Sequence, residues 1–205
     1  MEYVDILRYL VDDIHTTVVA TLDDQGLPVT AAIDMMMADE DGVYFLTAKG
    51  KPFYDRLTRR GFVALTGVKG EDTMRSVAVS LRGKVKEVPE VLPALLDRNP
   101  YMDEIYPTAA AKQALTAFCI YQGEGEYFDL SRRPIYRESF AYGVKPSLLG
   151  TYYITPDCIG CGNCLATCPQ SCIELSCGRA YILQQHCLHC GNCYEVCPHG
   201  AVAKR

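Results

Sequence analysis

The sequence predicts an α+β, mainly β chain in two parts. The first is a closed or nearly closed antiparallel barrel with peripheral helices, and the second a small domain held together by cysteine. Three observations carry this. Apolar, β-branched runs separated by Asp- and Gly-rich turns recur between residues 16 and 130. Helical periodicity is confined to the stretches around them, so helices sit beside the strands and do not alternate with them. Cysteine is distributed very unevenly, with Cys119 alone in residues 1–147 and ten more beyond.

The elements follow in order. Residues 1–14 place Val4, Ile6, Leu7, Leu10, Val11 and Ile14 on or near one helical face. Residues 16–22 (TTVVATL) read as a strand, and Asp23-Asp24-Gln25-Gly26 as the turn into a partner strand over residues 28–36. Residues 39–42 turn again into a strand over 43–47. Pro52 falls at the first position of a helix with Phe53 and Leu57 one turn apart. Strands are expected at 62–68 and 76–88, a helical region with proline breaks at 89–112, and two final strands at 116–122 and 125–130. The Gly- and Pro-punctuated stretch 142–147 separates a domain of residues 1–141 from one of residues 148–205.

The C-terminal cysteines form one pattern twice. Cys158, Cys161, Cys164 and Cys168 precede Pro169, and Cys187, Cys190, Cys193 and Cys197 precede Pro198. The spacing C-x₂-C-x₂-C-x₃-C-P resembles that of bacterial two-cluster ferredoxins, in which the fourth Cys of each run ligates the other cluster. The resemblance implies two [4Fe–4S] clusters. Cys158, Cys161, Cys164 and Cys197 would hold one, and Cys187, Cys190, Cys193 and Cys168 the other. Zinc sites commonly use two separated C-x₂-C pairs and need neither the third Cys at the same step nor the C-P. A disulfide framework suits an exported chain, and residues 1–14 carry charges throughout with no unbroken apolar stretch. The copies are offset by 29 residues, which sets Cys172 against Ala201. Cys172, Cys177 and Cys119 are therefore read as packing residues, and His189 and His199 as neighbours of the clusters and not ligands. A domain of about 58 residues has too small a core to fold by burial alone. Its clusters must staple it.

A net charge of −5 without a basic block argues against nucleic acid and anionic membrane as partners. No apolar run reaches the roughly 20 residues that span a bilayer. Eleven cysteines without an export signal point to the reducing cytoplasm.

Over residues 1–140 the order of elements and the local motifs resemble the pyridoxamine 5′-phosphate oxidase-like flavoproteins. The motifs are the TVVATLD strand, the Gly-x-Pro entry, the Gly-x-x-Tyr-Phe-x-Thr strand and the Lys-Gly-Lys-Pro-Phe-Tyr helix start. The later stretch 99–130 resembles a subgroup with a C-terminal ferredoxin module. The resemblance implies a split β-barrel that forms a homodimer and binds FMN between subunits. A Gly turn entering a helix N-terminus offers free N–H groups and a favourable dipole to a phosphate. Lys49, Gly50 and Lys51 make that turn here, and Thr47 before it offers a hydroxyl. By the same resemblance the strand containing Ile33 and Asp34 lies against the isoalloxazine ring, and Arg75 or Ser76 reaches the cleft. Relatives often carry an Arg-Lys pair where this chain has Pro52 and Phe53; the lysines here come earlier, which implies rearranged phosphate contacts. No set of basic residues matches the oxidase's own substrate site. A deazaflavin fits the barrel as well, and His15 is the only histidine before His186 for a haem reading.

Two functions share these cofactors. One is an oxidoreductase that takes electrons from a ferredoxin-like donor through the clusters and a flavin to a small organic acceptor. The other is a carrier or redox sensor with no substrate. Tyr44, Tyr54 and Tyr121 are nominal proton donors, each more readily explained as core or wall.

Overall fold

The computed structural model describes residues 1–147 and 150–205 and divides the chain into two compact units. The first comprises Met1–Asp72, Ser76–Tyr127 and Ser139–Pro146, and the second Thr73–Arg75, Phe128–Glu138 and Ser147–Arg205. The second unit therefore takes in two segments of the predicted 1–141 domain. Leu148 and Leu149, where the predicted C-terminal domain begins, lie outside the described residues.

In the first unit, helix α1 (Tyr3–Tyr9) buries Ile6 and Leu7 and passes into a π-helical turn over Leu10–Ile14. Strands β1 (Thr16–Leu22) and β2 (Pro28–Asp34) form a hairpin whose turn is pinned by Asp23, its Oδ1 accepting from the N–H groups of Gln25 and Leu27. The predicted strand 28–36 is not continuous. It ends at Asp34 because Met35 and Met36 turn inward and are buried, and a short strand β3 (Met37–Asp39) follows. Asp39 Oδ1 then accepts from the N–H groups of Asp41 and Gly42, turning the chain into β4 (Gly42–Ala48). Helix α2 (Pro52–Arg60) starts at Pro52 and buries Phe53 and Leu57. Strands β5 (Phe62–Lys69) and β6 (Val77–Glu87) come next. Helices α3 (Leu92–Arg98), α4 (Met102–Ile105) and α5 (Ala109–Lys112) fill the proline-broken region.

The two final strands predicted at 116–122 and 125–130 are one strand, β7 (Leu115–Asp129). The glycines between them are there for close approach and not for a turn. A Cβ on Gly125 would lie 2.1 Å from the Ser80 carbonyl oxygen and 2.7 Å from the Phe140 ring. A further strand, β8 (Tyr136–Tyr142), pairs with β7, so Tyr142 belongs to the sheet and not to a linker. The eight strands run β2-β1-β5-β6-β7-β4-β3 with β8 on β7. The sheet encloses Val19, Phe45, Val63, Val79, Phe118 and Ile120, with Phe45 and Phe118 stacked at 5.8 Å.

In the second unit the 29-residue offset becomes a structural repeat. Strand β9 (Tyr152–Ile154), helix α6 (Asn163–Thr167) and strand β10 (Ile173–Ser176) make one copy. Strand β11 (Arg179–Ile182), helix α7 (Asn192–Glu195) and strand β12 (Val202–Lys204) make the other. β10 pairs with β11 and β12 with β9, so each two-stranded pair joins the copies. Even the left-handed positions correspond: Gly160 at φ +70° matches His189 at +55°, and Ser171 at +50° matches Gly200 at +57°. Among the described residues no helix is long and apolar enough to cross a membrane.

Candidate functional site

Each copy of the repeat wraps its first three cysteines around a cavity, and the strand pairs between the copies bring the fourth from the other copy. Cys158, Cys161, Cys164 and Cys197 line one cavity, together with Ile154, Ala180 and His199. Cys187, Cys190, Cys193 and Cys168 line the other. Among the described residues no three His, Cys, Asp or Glu side chains converge as a single ion requires. Four sulfurs spread over the walls of a cavity fit the donor set that a [4Fe–4S] cube would need.

Backbone amides reach these sulfurs. The N–H of Ala180 lies 3.4 Å from Cys158 Sγ, that of His189 3.3 Å from Cys187 Sγ, and that of Ala201 3.2 Å from Cys197 Sγ. N–H groups from Ala180 and Gly160 hold the Cys158 thiol below its ordinary pKa, whereas burial pushes Cys164 and Cys187 up and Cys193 up to about 11. Thiols in so dry a setting ionise when iron charge arrives with the cluster.

Cys172 also lines the second cavity, with its sulfur 3.4 Å from Cys168 Sγ, and burial pushes its thiol strongly up. Cys177 is exposed, in the turn between β10 and β11. His189 presents Nδ1 to Arg137 Nη1 at 2.8 Å, so that nitrogen is an acceptor and not a metal ligand.

The first unit holds a cavity of about 280 Å³ lined by segments far apart in sequence. Ile33, Asp34, Thr47 and Lys51 are on its wall with Met36, Tyr101 and Tyr106; Lys49, Gly50, Arg75 and Ser76 are not among its lining residues. Thr47 is 3% exposed, and its Oγ1 has no hydrogen-bond partner. A buried hydroxyl left unsatisfied costs roughly 1–3 kcal/mol, and facing a cavity it marks a place for a ligand acceptor. Lys51 is the N-cap of α2, in an extended conformation and with no side-chain cap; Pro52 has no N–H and the Tyr54 N–H is taken by the Lys51 carbonyl at 2.9 Å, so the helix start offers a ligand the Phe53 N–H and the favourable end of the dipole.

The tyrosines named from sequence lie elsewhere. Tyr44 donates to Asp39 Oδ1 at 3.1 Å, Tyr54 to Glu87 Oε2 at 3.3 Å, and the Tyr121 ring lies under Lys86. Cys119 is buried core, as its lone position implied.

Sequence reading missed Tyr101. Its hydroxyl donates to Asp34 Oδ2 at 3.0 Å and lies 3.3 Å from His15 Nε2, while Thr16 Oγ1 donates to Asp34 Oδ1 at 2.7 Å. No spacing links residues 15, 34 and 101. The fold alone assembles them.

Comparison with known proteins supports both units. Residues 4–126 match the family "Pyridoxamine 5′-phosphate oxidase", and residues 157–201 match "4Fe-4S dicluster domain". No curated protein matches the chain. Among solved structures, a NimC/NimA family protein from Clostridium acetobutylicum is 16% identical, with TM-score 0.56 over 67% of this chain and 90% of that one. A protein of the same organism related to general stress protein 26 is 17% identical, with TM-score 0.53 over 68% and 94%. A haem-binding protein from Mycobacterium smegmatis is 14% identical, with TM-score 0.53 over 69% and 58%. At such identities the likeness is one of fold. With its split-barrel unit and its iron–sulfur unit both matched, the chain belongs to the pyridoxamine 5′-phosphate oxidase family and carries a 4Fe-4S dicluster domain at its C-terminal end.

Proposed function

We propose that the protein is an FMN- and iron–sulfur-dependent oxidoreductase that passes electrons from a ferredoxin-like donor to a small organic acceptor in the cytoplasm. The observation that carries this is the pairing, in one chain, of two four-cysteine cavities with a barrel cavity that contains an unsatisfied buried hydroxyl. Cys158, Cys161, Cys164 and Cys197 ligate one [4Fe–4S] cluster, and Cys187, Cys190, Cys193 and Cys168 the other. Thr47, Lys51 and the N-terminus of α2 receive the FMN phosphate, and Ile33 and Asp34 border the ring. Bound there, a flavin supplies a centre that exchanges one electron or two, which suits one-electron clusters. The polar wall made by Asp34, Tyr101 and Tyr106 favours a small-molecule acceptor over a pure carrier.

The barrel works as a homodimer in this reading. Val18 and Leu22 of β1 and Phe62 and Val68 of β5 point to one sheet face and are 45–61% exposed. A second copy covers that face, and sedimentation velocity showing a monomer that holds FMN tightly would refute it.

Anaerobic stopped flow tests the function. Dithionite-reduced protein is mixed with electron-poor alkenes, quinones and nitro compounds, and flavin and cluster oxidation are followed at separate wavelengths. Turnover of one class identifies the acceptor chemistry. Reactivity with protein acceptors alone would make the chain a carrier.

A further inference from the structure

The barrel cavity is bordered by a hydrogen-bonded chain that no spacing in the sequence announces: His15 Nε2, Tyr101 Oη and Asp34 Oδ2, separated by 3.3 and 3.0 Å. We propose that Tyr101 is the proton donor for reduction of the acceptor, that His15 reloads it, and that Asp34 orients its hydroxyl. This rests on the flavin oxidoreductase reading and adds to it the source of the proton.

Four features of the fold converge on these residues. The π-helical turn Leu10–Ile14 ends with the His15 N–H on the Leu10 carbonyl at 2.9 Å, the extra residue that brings the imidazole round to β2. His15 itself sits at φ +64°, ψ −72°, a backbone region that costs a non-glycine residue of order 1–3 kcal/mol and is held only where the surroundings impose it. Its carbonyl is tied to the Met35 N–H at 2.8 Å. On the other side, buried Asn99 donates to the Leu95 and Met36 carbonyls at 2.8 and 3.3 Å, fixing the segment that presents Tyr101.

The directions of the hydrogen bonds make the chain a relay. At rest Tyr101 gives its one hydroxyl proton to Asp34, and its oxygen accepts from His15 Nε2–H, which also lies 3.6 Å from Asp34 Oδ2; turning the hydroxyl from Asp34 towards the acceptor releases the proton. Tyr101 and Asp34 line the cavity, whereas the His15 side chain is 38% exposed and open to solvent protons. Burial and the Asp34 carboxylate push the Tyr101 phenol up, so it stays loaded until an acceptor develops negative charge beside it. A reduced flavin held at this cavity would supply the hydride to one carbon of an electron-poor alkene, and the residues of the chain supply the proton. The neighbouring carbon takes the Tyr101 hydroxyl proton, and His15 passes its Nε2 proton to the phenolate as its Nδ1 takes one from solvent, so the ring stays neutral throughout and later returns to the starting tautomer by exchange with water. The alkene gains two electrons and two hydrogens, and nothing else is consumed.

Two measurements on the full-length protein with its clusters and FMN test this. The first needs no turnover. In ¹⁵N-histidine-labelled protein at alkaline pH, the neutral His15 ring should carry its proton on Nε2, and Tyr101→Phe should shift that nitrogen selectively. A proton on Nδ1 overturns the relay. The second compares single-turnover oxidation by 2-cyclohexen-1-one, which needs a proton, with oxidation by ferricyanide, which needs none. Tyr101→Phe should slow the alkene reaction by about 100-fold, the lower end of what a general acid supplies, and His15→Gln by less. The ferricyanide rate and FMN affinity should stay within about threefold of wild type. Equal slowing of both reactions, or of neither, overturns the proposal. Wild-type protein that serves ferricyanide but not the alkene also overturns it while leaving the redox reading standing, and a chain that binds no FMN overturns the reading beneath it.

Discussion

The two units build their cavities in opposite ways. In the C-terminal unit, three of each set of four sulfurs come from seven consecutive residues, and the fourth comes from the same motif 29 residues away. In the barrel, one cavity draws on β1, β2, β4, the start of α2 and the segment around α4. A site that a metal organises can be short and local because the cluster supplies the folding energy. A site organised by packing must wait for a whole sheet to close. The first kind is written in spacing and the second only in topology.

The largest test of this contrast is iron removal. The C-terminal unit has a small buried core of Cys164, Ile173, Ala180, Cys193 and Val202, with cysteines of the doubled motif as part of its packing. Chelating the iron should unfold it, whereas the barrel, with its own core, should keep its β-sheet circular dichroism. Limited proteolysis would then cleave residues 150–205 and spare the barrel strands. A C-terminal unit that resists protease without iron would break the comparison.

A finer test asks whether each cavity uses the four sulfurs assigned to it. The intact protein should hold about eight iron and eight sulfide. Cys168→Ala should cost the cluster in the second cavity and bring iron toward about four. Cys172→Ala, although its sulfur lies 3.4 Å from that of Cys168, should leave iron unchanged because Ala201 serves at the equivalent position. Equal iron loss in both variants would make Cys172 a ligand and undo the repeat argument.

What was legible in the sequence follows the same divide. The doubled cysteine run could be sorted into two sets because the period of a repeat survives folding. The barrel hairpins were legible where Asp23 and Asp39 make side-chain turns. They were misread where glycine serves packing: Gly123 and Gly125 look like a turn but let β7 pass close to its neighbours, and β8 went unseen behind them. Of the residues proposed to hold the flavin phosphate, Thr47 and Lys51 could be named because they flank a helix start, which has a local signature. Lys49 and Gly50 share that signature but are not on the wall of this cavity, so sequence proximity did not decide which residues line it. Tyr101 and His15 had no signature at all.

Thr47→Val sharpens the barrel side. The native hydroxyl is buried without a partner, so its removal should leave the flavin-free barrel equally stable or stabilise it by about 1 kcal/mol. The same change should weaken FMN about tenfold, the value of one hydrogen bond to a charged phosphate. Fluorescence titration gives the affinity and denaturant melts the stability. A loss of both together would mean that Thr47 is ordinary core.

The smallest expected effect sets one barrel cysteine against the cluster cysteines. Backbone N–H groups hold the Cys158 thiol low, but burial pushes that of Cys119 up to about 12, in a packed region where it donates to the Asp41 carbonyl at 3.8 Å beside the Tyr44 hydroxyl. Because the folded value lies above the unfolded one, near 8.5, the contribution of the protonated thiol to stability is complete below about pH 8.5. It is lost as pH rises towards 12, at up to about 1.4 kcal/mol per pH unit. Tyr44 and Tyr142, also pushed up by burial, add alkaline losses of their own, so Cys119→Ala should remove only part of the slope. The variant should be roughly 1 kcal/mol less stable at neutral pH for the lost packing and should close that gap between pH 9 and 11. Urea melts at pH 7.5 and 10.5, followed by far-ultraviolet circular dichroism, measure both ends. A gap that stays constant would show that Cys119 ionises as freely in the fold as in the unfolded chain, and the contrast between a thiol kept for packing and thiols kept for metal would fail at that residue.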